Sequence, residues 1–262
     1  MPTTYTHYRF GQDCLRALPE ELRAAVEAHR GLFNTGVHGP DIFFYYHAVA
    51  PNSVTAYGSA LHRRTAKQIF TRALGPWHAY HDRDSMLAYL LGFLCHFALD
   101  SVCHGYVNSE GPVLGASHNR LEAVYDAHLM LRDGLTPTQV MRGKSLEPTE
   151  SNAEVISRFF DVPERKVLAA LRGQEYVMRL LCSPGGTKKH VARAVLRALH
   201  LPGNLDDLFI DDEVPPELEG AMADLDRLYA EALAEYPGMA KELIGFLDGK
   251  GELSERFDRD FE

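Results

Sequence analysis

Residues 86–106 read MLAYLLGFLCHFALDSVCHGY, and their reading decides the fold. The stretch contains no Pro, is apolar on nearly every side and is long enough for about six helical turns. A helix that is apolar all round belongs in the middle of a core. His96, Asp100 and His104 interrupt the pattern at intervals of four, so each sits roughly 40° around the axis from the last. One stripe of a buried rod therefore carries two imidazoles and a carboxylate. An ionised Asp in such a place is costly unless it is paired or binds a metal. The stripe asks for a cation, and the rest of the chain must supply the other ligands.

The bulk composition sets the frame around that helix. At 262 residues and 45% hydrophobic, the chain can bury a real core. No segment has strand periodicity, so the expected architecture is all-α: a multi-helix bundle around a central buried metal-binding helix. We read residues 1–262 as one domain, with a metal-site half (1–132) and a helical C-terminal half (133–262). The formal charge of −9 argues against a duplex nucleic-acid partner, which calls for a basic face. Cys14, Cys95, Cys103 and Cys182 form no CxxC pair, and Cys95 and Cys103 read as small buried hydrophobes. The opening MPTTYTHYRFGQDCLRAL lacks an apolar run with a cleavage site, so the expected location is cytoplasmic.

Upstream of the core helix, residues 1–10 are polar and aromatic and hold His7. Residues 19–29 read as an amphipathic helix behind Pro19, with Leu22 and Val26 inward. Gly36, Gly39 and Pro40 then mark a tight loop that ends in Asp41. Two readings of Asp41 stand: a helix N-cap, or a carboxylate presented from a rigid turn. Residues 51–58 read as loop, followed by a helix with His62 near its start and Leu61 and Ile69 inward. Arg63, Arg64 and Lys67 give it a basic end. The doublet His81–Asp82 lies in a turn just ahead of the core helix, where an acidic residue suits the helix N-terminus.

Downstream, residues 105–117 read as a flexible loop, and Ser117 is a natural N-cap for the next helix. On it His118 and Glu122 stand at i and i+4 among apolar neighbours. Asp126 and His128 read as its exposed polar side. Residues 133–150 read as a linker. Helices are expected over about 151–161, 163–182, 187–200, 215–235 and 237–248, with a break at Pro237–Gly238. The acidic tail, residues 251–262, reads as frayed.

Taken together, the candidates are His96-x3-Asp100-x3-His104 and His118-x3-Glu122, with His7, Asp41 and His62 upstream. Two helices that each place ligand-type residues at i and i+4 amid apolar neighbours make a specific pattern. The donors are nitrogen and oxygen without thiolate, which suits Zn²⁺ in catalytic mode, with Fe and Mn left open. Eight such side chains are too many for one tetrahedral ion, so two or three ions are expected.

The chain resembles the bacterial zinc-dependent phospholipase C family, which shares an all-α fold with a group of single-strand-specific nucleases. The resemblance rests on GPD at 39–41, GSALH ending at His62, LGFLCHFALDSVCH at 91–104 and the His118/Glu122 pair, and it covers roughly residues 5–130. It implies that Asp41, His62, His96 and Asp100 serve one ion and that His104, His118 and Glu122 serve its neighbour. It also implies that His7 and Asp100 hold a third. The family completes that third site with a mature N-terminal Trp. This chain departs there: it begins MPTTYTH, and its only Trp is Trp77.

The implied activity is metal-dependent hydrolysis of a small phosphodiester or phospholipid headgroup, with Asp41 as the catalytic proton acceptor. A nuclease or nucleotidase on the same fold, and a non-catalytic metal-stabilised helical protein, are the alternatives. Beside bulk phospholipid, a soluble intracellular substrate or one presented at the inner face of a membrane is an equal expectation, the latter with peripheral membrane contact.

Overall fold

The computed structural model describes residues 4–48, 50–143, 145–182, 184, 187–198 and 205–262. The core helix, α6 (Arg83–Val113), is buried on every side from Ser85 to Asp100 and, beyond that, on the one face that carries Cys103, His104, Val107 and Gly111. Over the first part its even apolar coating explains this, since no face is polar enough to be left in water. It is also long and apolar enough to cross a membrane, but it is enclosed by the other helices. The Asp82 side chain accepts from the Ser85 amide and caps its first turn. Residues 105–113, expected as loop, continue the helix.

Around this rod lie α1 (Thr4–Ala17), α2 (Glu20–Ala28), α3 (Arg30–Gly36), α4 (Ser53–His62), α5 (Ala66–Ala79) and α7 (His118–Arg132). The second half adds α8 (Glu150–Ser157), α9 (Glu164–Leu181), α10 (Thr187–Ala198) and α11 (Glu219–Leu247). The other described residues form short 3-10 turns and connections, and the described residues contain no strand. The fold is all-α, as expected.

Three departures from the sequence reading bear on the site. Residues 4–17 form a full helix, so His7 is helical and buried rather than part of a polar lead-in. Residues 53–58 belong to α4, so His62 ends that helix instead of opening the next. The missed start carries a capping box between Asn52 and Thr55. Further on, α11 runs straight through Pro237, where a break was expected. There Tyr236 is fully buried and its hydroxyl donates to the Leu91 carbonyl of α6 at 3.1 Å. Burial against α6 outweighs the one helical hydrogen bond that Pro removes.

The closest helix contact is between α3 and α6. A Cβ placed on Gly92 would lie 2.3 Å from the Phe33 carbonyl oxygen, so only glycine lets the two backbones touch. This contact sets the 3-10 turn Gly39–Tyr45, which leaves the end of α3, above the middle of α6.

Two anchors complete the frame. Asp126, expected on an exposed face of α7, is fully buried. It accepts from the Thr6 amide at 2.8 Å, the Thr6 hydroxyl at 2.8 Å and the Tyr5 amide at 3.3 Å. Those amides belong to the first turn of α1, which has no internal acceptor for them. Arg142 approaches the same carboxylate at 3.2 Å. The acidic tail is not frayed: Leu253, Phe257 and Phe261 are buried, and Ala66 N donates to the Arg259 carbonyl at 3.0 Å.

Candidate metal centre

Four elements converge on the stripe of α6. Its own His96, Asp100 and His104 are buried. Asp100 sits among three imidazoles: His96 Nε2 is 2.9 Å from its Oδ2, while His7 Nε2 and His104 Nε2 are 3.2 Å and 3.7 Å from its Oδ1. His7 comes from α1, held in place by the Asp126 anchor, and its ring stacks on His96 with centroids 4.2 Å apart.

The 3-10 turn supplies Asp41, and the GPD sequence has a local cause. Gly39 has φ of +51°, in the left-handed region, and a Cβ there would lie 2.3 Å from His96 Cδ2. Glycine is thus required both by the turn and by the imidazole beneath it. Asp41 is no helix cap; its Oδ1 lies 3.0 Å from His62 Nε2. At the other end α7 supplies Glu122, whose Oε1 is 3.2 Å from His104 Nε2 and 3.1 Å from His118 Nε2.

The eight expected residues therefore come together. Their donor atoms make three groups, each within 4.8 Å: His7–His96–Asp100, Asp41–His62–His96 and His104–His118–Glu122. His96 belongs to two of them, and Asp100 reaches towards the third through His104. All are buried except His118, whose side chain is 34% exposed and forms the rim. A small cavity borders this end, lined by Asp100, His104 and Glu122 together with Thr6, Val107 and Leu225.

The outward-facing ring nitrogens are tied down. His62 Nδ1 donates to the Gly58 carbonyl at 2.9 Å, and His96 Nδ1 lies 3.3 Å from the Val37 carbonyl. His104 Nδ1 donates to the Phe261 carbonyl at 2.5 Å, and His118 Nδ1 to Asn108 Oδ1 at 2.9 Å. Each such bond fixes the tautomer and turns the Nε2 lone pair inward, as in histidine metal sites.

Several inward donors have no directed hydrogen bond. His96 Nε2 is close to Asp100 without hydrogen-bond alignment, and Glu122 Oε2 is buried without a partner; on His7, whose Nε2 faces Asp100, the second ring nitrogen Nδ1 is buried without a partner as well. Buried polar atoms are rarely left so. Nitrogen and oxygen donors that converge in close range without directed protons fit a cation such as zinc.

The charges agree. Burial works to raise the Asp100 carboxyl, but the His104, His96 and His7 imidazoles hold it well below the carboxylate range. Burial likewise opposes ionisation of Asp41, and the surrounding positive charge, that of the chain's amino terminus first and of His62 and His96 with it, outweighs burial, so this carboxyl also falls. Glu122 is drawn down to about 2 against its burial, with His104 and His118 as partners. Burial opposes protonation of His104, yet Asp100 and Glu122 push it up to about 9. Of the stacked pair, His96 is held neutral, first by burial, whereas His7 is raised by Asp100 in spite of burial.

Sequence reasoning missed three contributors. His38 is buried with Nε2 unpartnered and is pushed down to about 3 by burial and by His7 and His96. Its one signal was adjacency to GPD. Asn108 lay in the supposed loop. Phe261 lay in the supposed frayed end, where its apolar ring was the only hint.

The family model for zinc-dependent phospholipase C matches residues 6–162. This span includes all eight side chains and stops well short of Phe261. No curated protein and no solved structure matches the chain.

Proposed function

We propose that this chain, which belongs to the zinc-dependent phospholipase C family, hydrolyses phosphoric diesters of the phospholipid-headgroup type at a two- or three-zinc centre. The observation that carries the reading is the set of three adjoining ligand groups, two of them sharing His96 and the third approached by Asp100, 3.7 Å from His104. A lone structural ion needs four closed ligands and no sharing.

Asp41, His62 and His96 would hold one ion, and His104, His118 and Glu122 a second. His7, with His96 and Asp100, would hold a third. Zinc bound there supplies Lewis acidity towards a phosphoryl oxygen and a water acidified towards about neutral pH. The oxygen of the attacking water bonds to phosphorus, the bond from phosphorus to the alcohol oxygen breaks, and the alcohol takes up a proton. Asp41, kept ionised by its imidazole neighbours, accepts the proton of the water. His118 at the rim marks where the headgroup enters. Leu99, Val107 and Leu225 give the cavity beside Asp100, His104 and Glu122 an apolar wall. We place this activity in the cytoplasm, with substrate either dissolved or presented at the inner membrane face.

The test is zinc analysis of the purified protein, followed by assay on a chromogenic phosphodiester, a phosphomonoester and single-stranded DNA. Two or more zinc ions per chain with preference for the diester are expected. Bound zinc below one per chain overturns the reading, and preference for DNA moves the protein to the nuclease side of the fold.

A further inference from the structure

Residues 164–200 carry eight Lys and Arg against two Glu, a net of +6 in a chain whose total is −9. This basic island coincides with α9 and α10. The inner face of α9 is packed: Val167, Leu171 and Met178 are buried. Gly173 there touches the Tyr45 backbone, at the end of the turn that carries Asp41. Among the described residues nothing covers the outer face. Arg165, Arg172 and Tyr176 follow at helical spacing and are exposed, Tyr176 by 67%, and Leu180 continues the stripe at 47%. Val191, at the start of α10, is 61% exposed. Only six large hydrophobic residues are exposed among those described, and three are these. Arg165 and Arg172 have no ion-pair partner among the described residues.

The island is also fastened beside the rim of the metal centre. Lys189 of α10 and Arg120 of α7 share the Asp211 carboxylate, Arg120 at 3.3 Å. Arg120 lies between His118 and Glu122 on α7.

We propose that the outer face of α9 with the start of α10 is a docking surface for an anionic lipid bilayer, which presents headgroups to the His118 rim. Cations interleaved with a Tyr and aliphatic side chains suit a lipid interface, where rings and methyls enter the headgroup layer and guanidinium groups meet phosphates. The acidic remainder of the chain is repelled by the same bilayer, so the field orients the protein with this face inward. This inference rests on the phosphodiester reading for its purpose, but its test is separate.

The test is flotation of the full chain with vesicles of phosphatidylcholine and of a two-to-one phosphatidylcholine–phosphatidylserine mixture. The variants are Arg165→Gln/Arg172→Gln, Arg165→Lys/Arg172→Lys and Tyr176→Ser/Leu180→Ser. Wild type should partition onto anionic vesicles and be released by salt. The Gln pair should bind about thirtyfold more weakly, from roughly fivefold per cation near an anionic surface. The Lys pair should retain binding, and the Ser pair should lose it. All variants should hydrolyse a water-soluble diester at the wild-type rate, so loss of that turnover in wild type refutes the catalytic reading and leaves the docking result to stand alone. Equal partition onto both vesicle types, or no response to the Gln pair, overturns the proposal. So does self-association through this face without vesicle binding.

Discussion

His104 donates its Nδ1 proton to the backbone carbonyl of Phe261, 157 positions further along the chain, at 2.5 Å. Phe261 in turn donates its own amide to the His62 carbonyl at 3.1 Å and packs its ring against His62, His96 and Phe97. The tail thus acts as a wedge that orients a ligand on each side of the centre. Phe261→Ala keeps the backbone carbonyl but removes the ring that seats it, so the acceptor should shift from His104 and zinc binding weaken about 10–100-fold, as when an orienting partner is displaced. It should also cost about 3–5 kcal/mol of stability for an emptied aromatic site. Phe261→Leu, which keeps most of the burial, guards against simple unfolding. Competition titration with a zinc chelator measures the affinity, and wild-type affinity in Phe261→Ala would show that the tail merely fills space.

Gly39→Ala tests the fit between the turn and the imidazole. The left-handed backbone alone costs an L-residue about 1–2 kcal/mol, and the added methyl would meet His96 at 2.3 Å. His96 should be displaced from both groups it joins. The expected outcome is a lower zinc content together with lost turnover, while the helical signal persists. Full zinc content in this variant would contradict the geometry.

The readable part of the site was the part with a period. His96, Asp100 and His104 announce themselves because an apolar helix exposes any polar residue by contrast, and His118 and Glu122 repeat the device on α7. What escaped was fixed by tertiary partners that leave no local pattern. Asp126 reads as a polar surface residue of α7 in the sequence, and only the otherwise unpaired amides of α1 reveal why it is buried. Phe261 sits in a run of charged residues whose neighbours do face water. Pro237 reads as a break because a sequence window cannot see that α6 supplies the packing to bridge it. The start of α4 was hidden by Pro51 and a polar first turn, although Asn52 and Thr55 did carry a cap signal.

Metal removal should make stability depend on pH through His104. With a value of about 9, above the ordinary 6.5, protonated His104 contributes stability that is complete below about pH 6.5. That contribution is lost as pH rises through about 9. Denaturant melts of chelator-treated protein should therefore weaken across this window. Zinc must displace the Nε2 proton, so calorimetry in buffers of different ionisation enthalpy should show proton release on zinc binding near neutral pH. A flat stability profile in the chelated protein, with no proton release on reloading, would contradict the assignment.

Asp100 separates a shared ligand from an ordinary one. Its two oxygens face His96 at 2.9 Å and His7 at 3.2 Å, with His104 at 3.7 Å. Asp100 is grouped with His7 and His96 and also faces His104 of the neighbouring group, so removing its charge should affect more than one ion, whereas Glu122 faces only His104 and His118. Asp100→Asn is expected to lose at least two zinc ions per chain, and Glu122→Gln one. Asp41→Asn should lose turnover by a factor of about 10²–10⁴, the range for a proton acceptor, with the helices intact. His118→Ala, at the partly exposed rim, should abolish activity with the smallest cost in stability. Metal content, diester turnover and helical signal, measured on the four variants side by side, rank these effects. Equal zinc loss from Asp100→Asn and Glu122→Gln would show that Asp100 serves a single ion and that the centre is not joined through it.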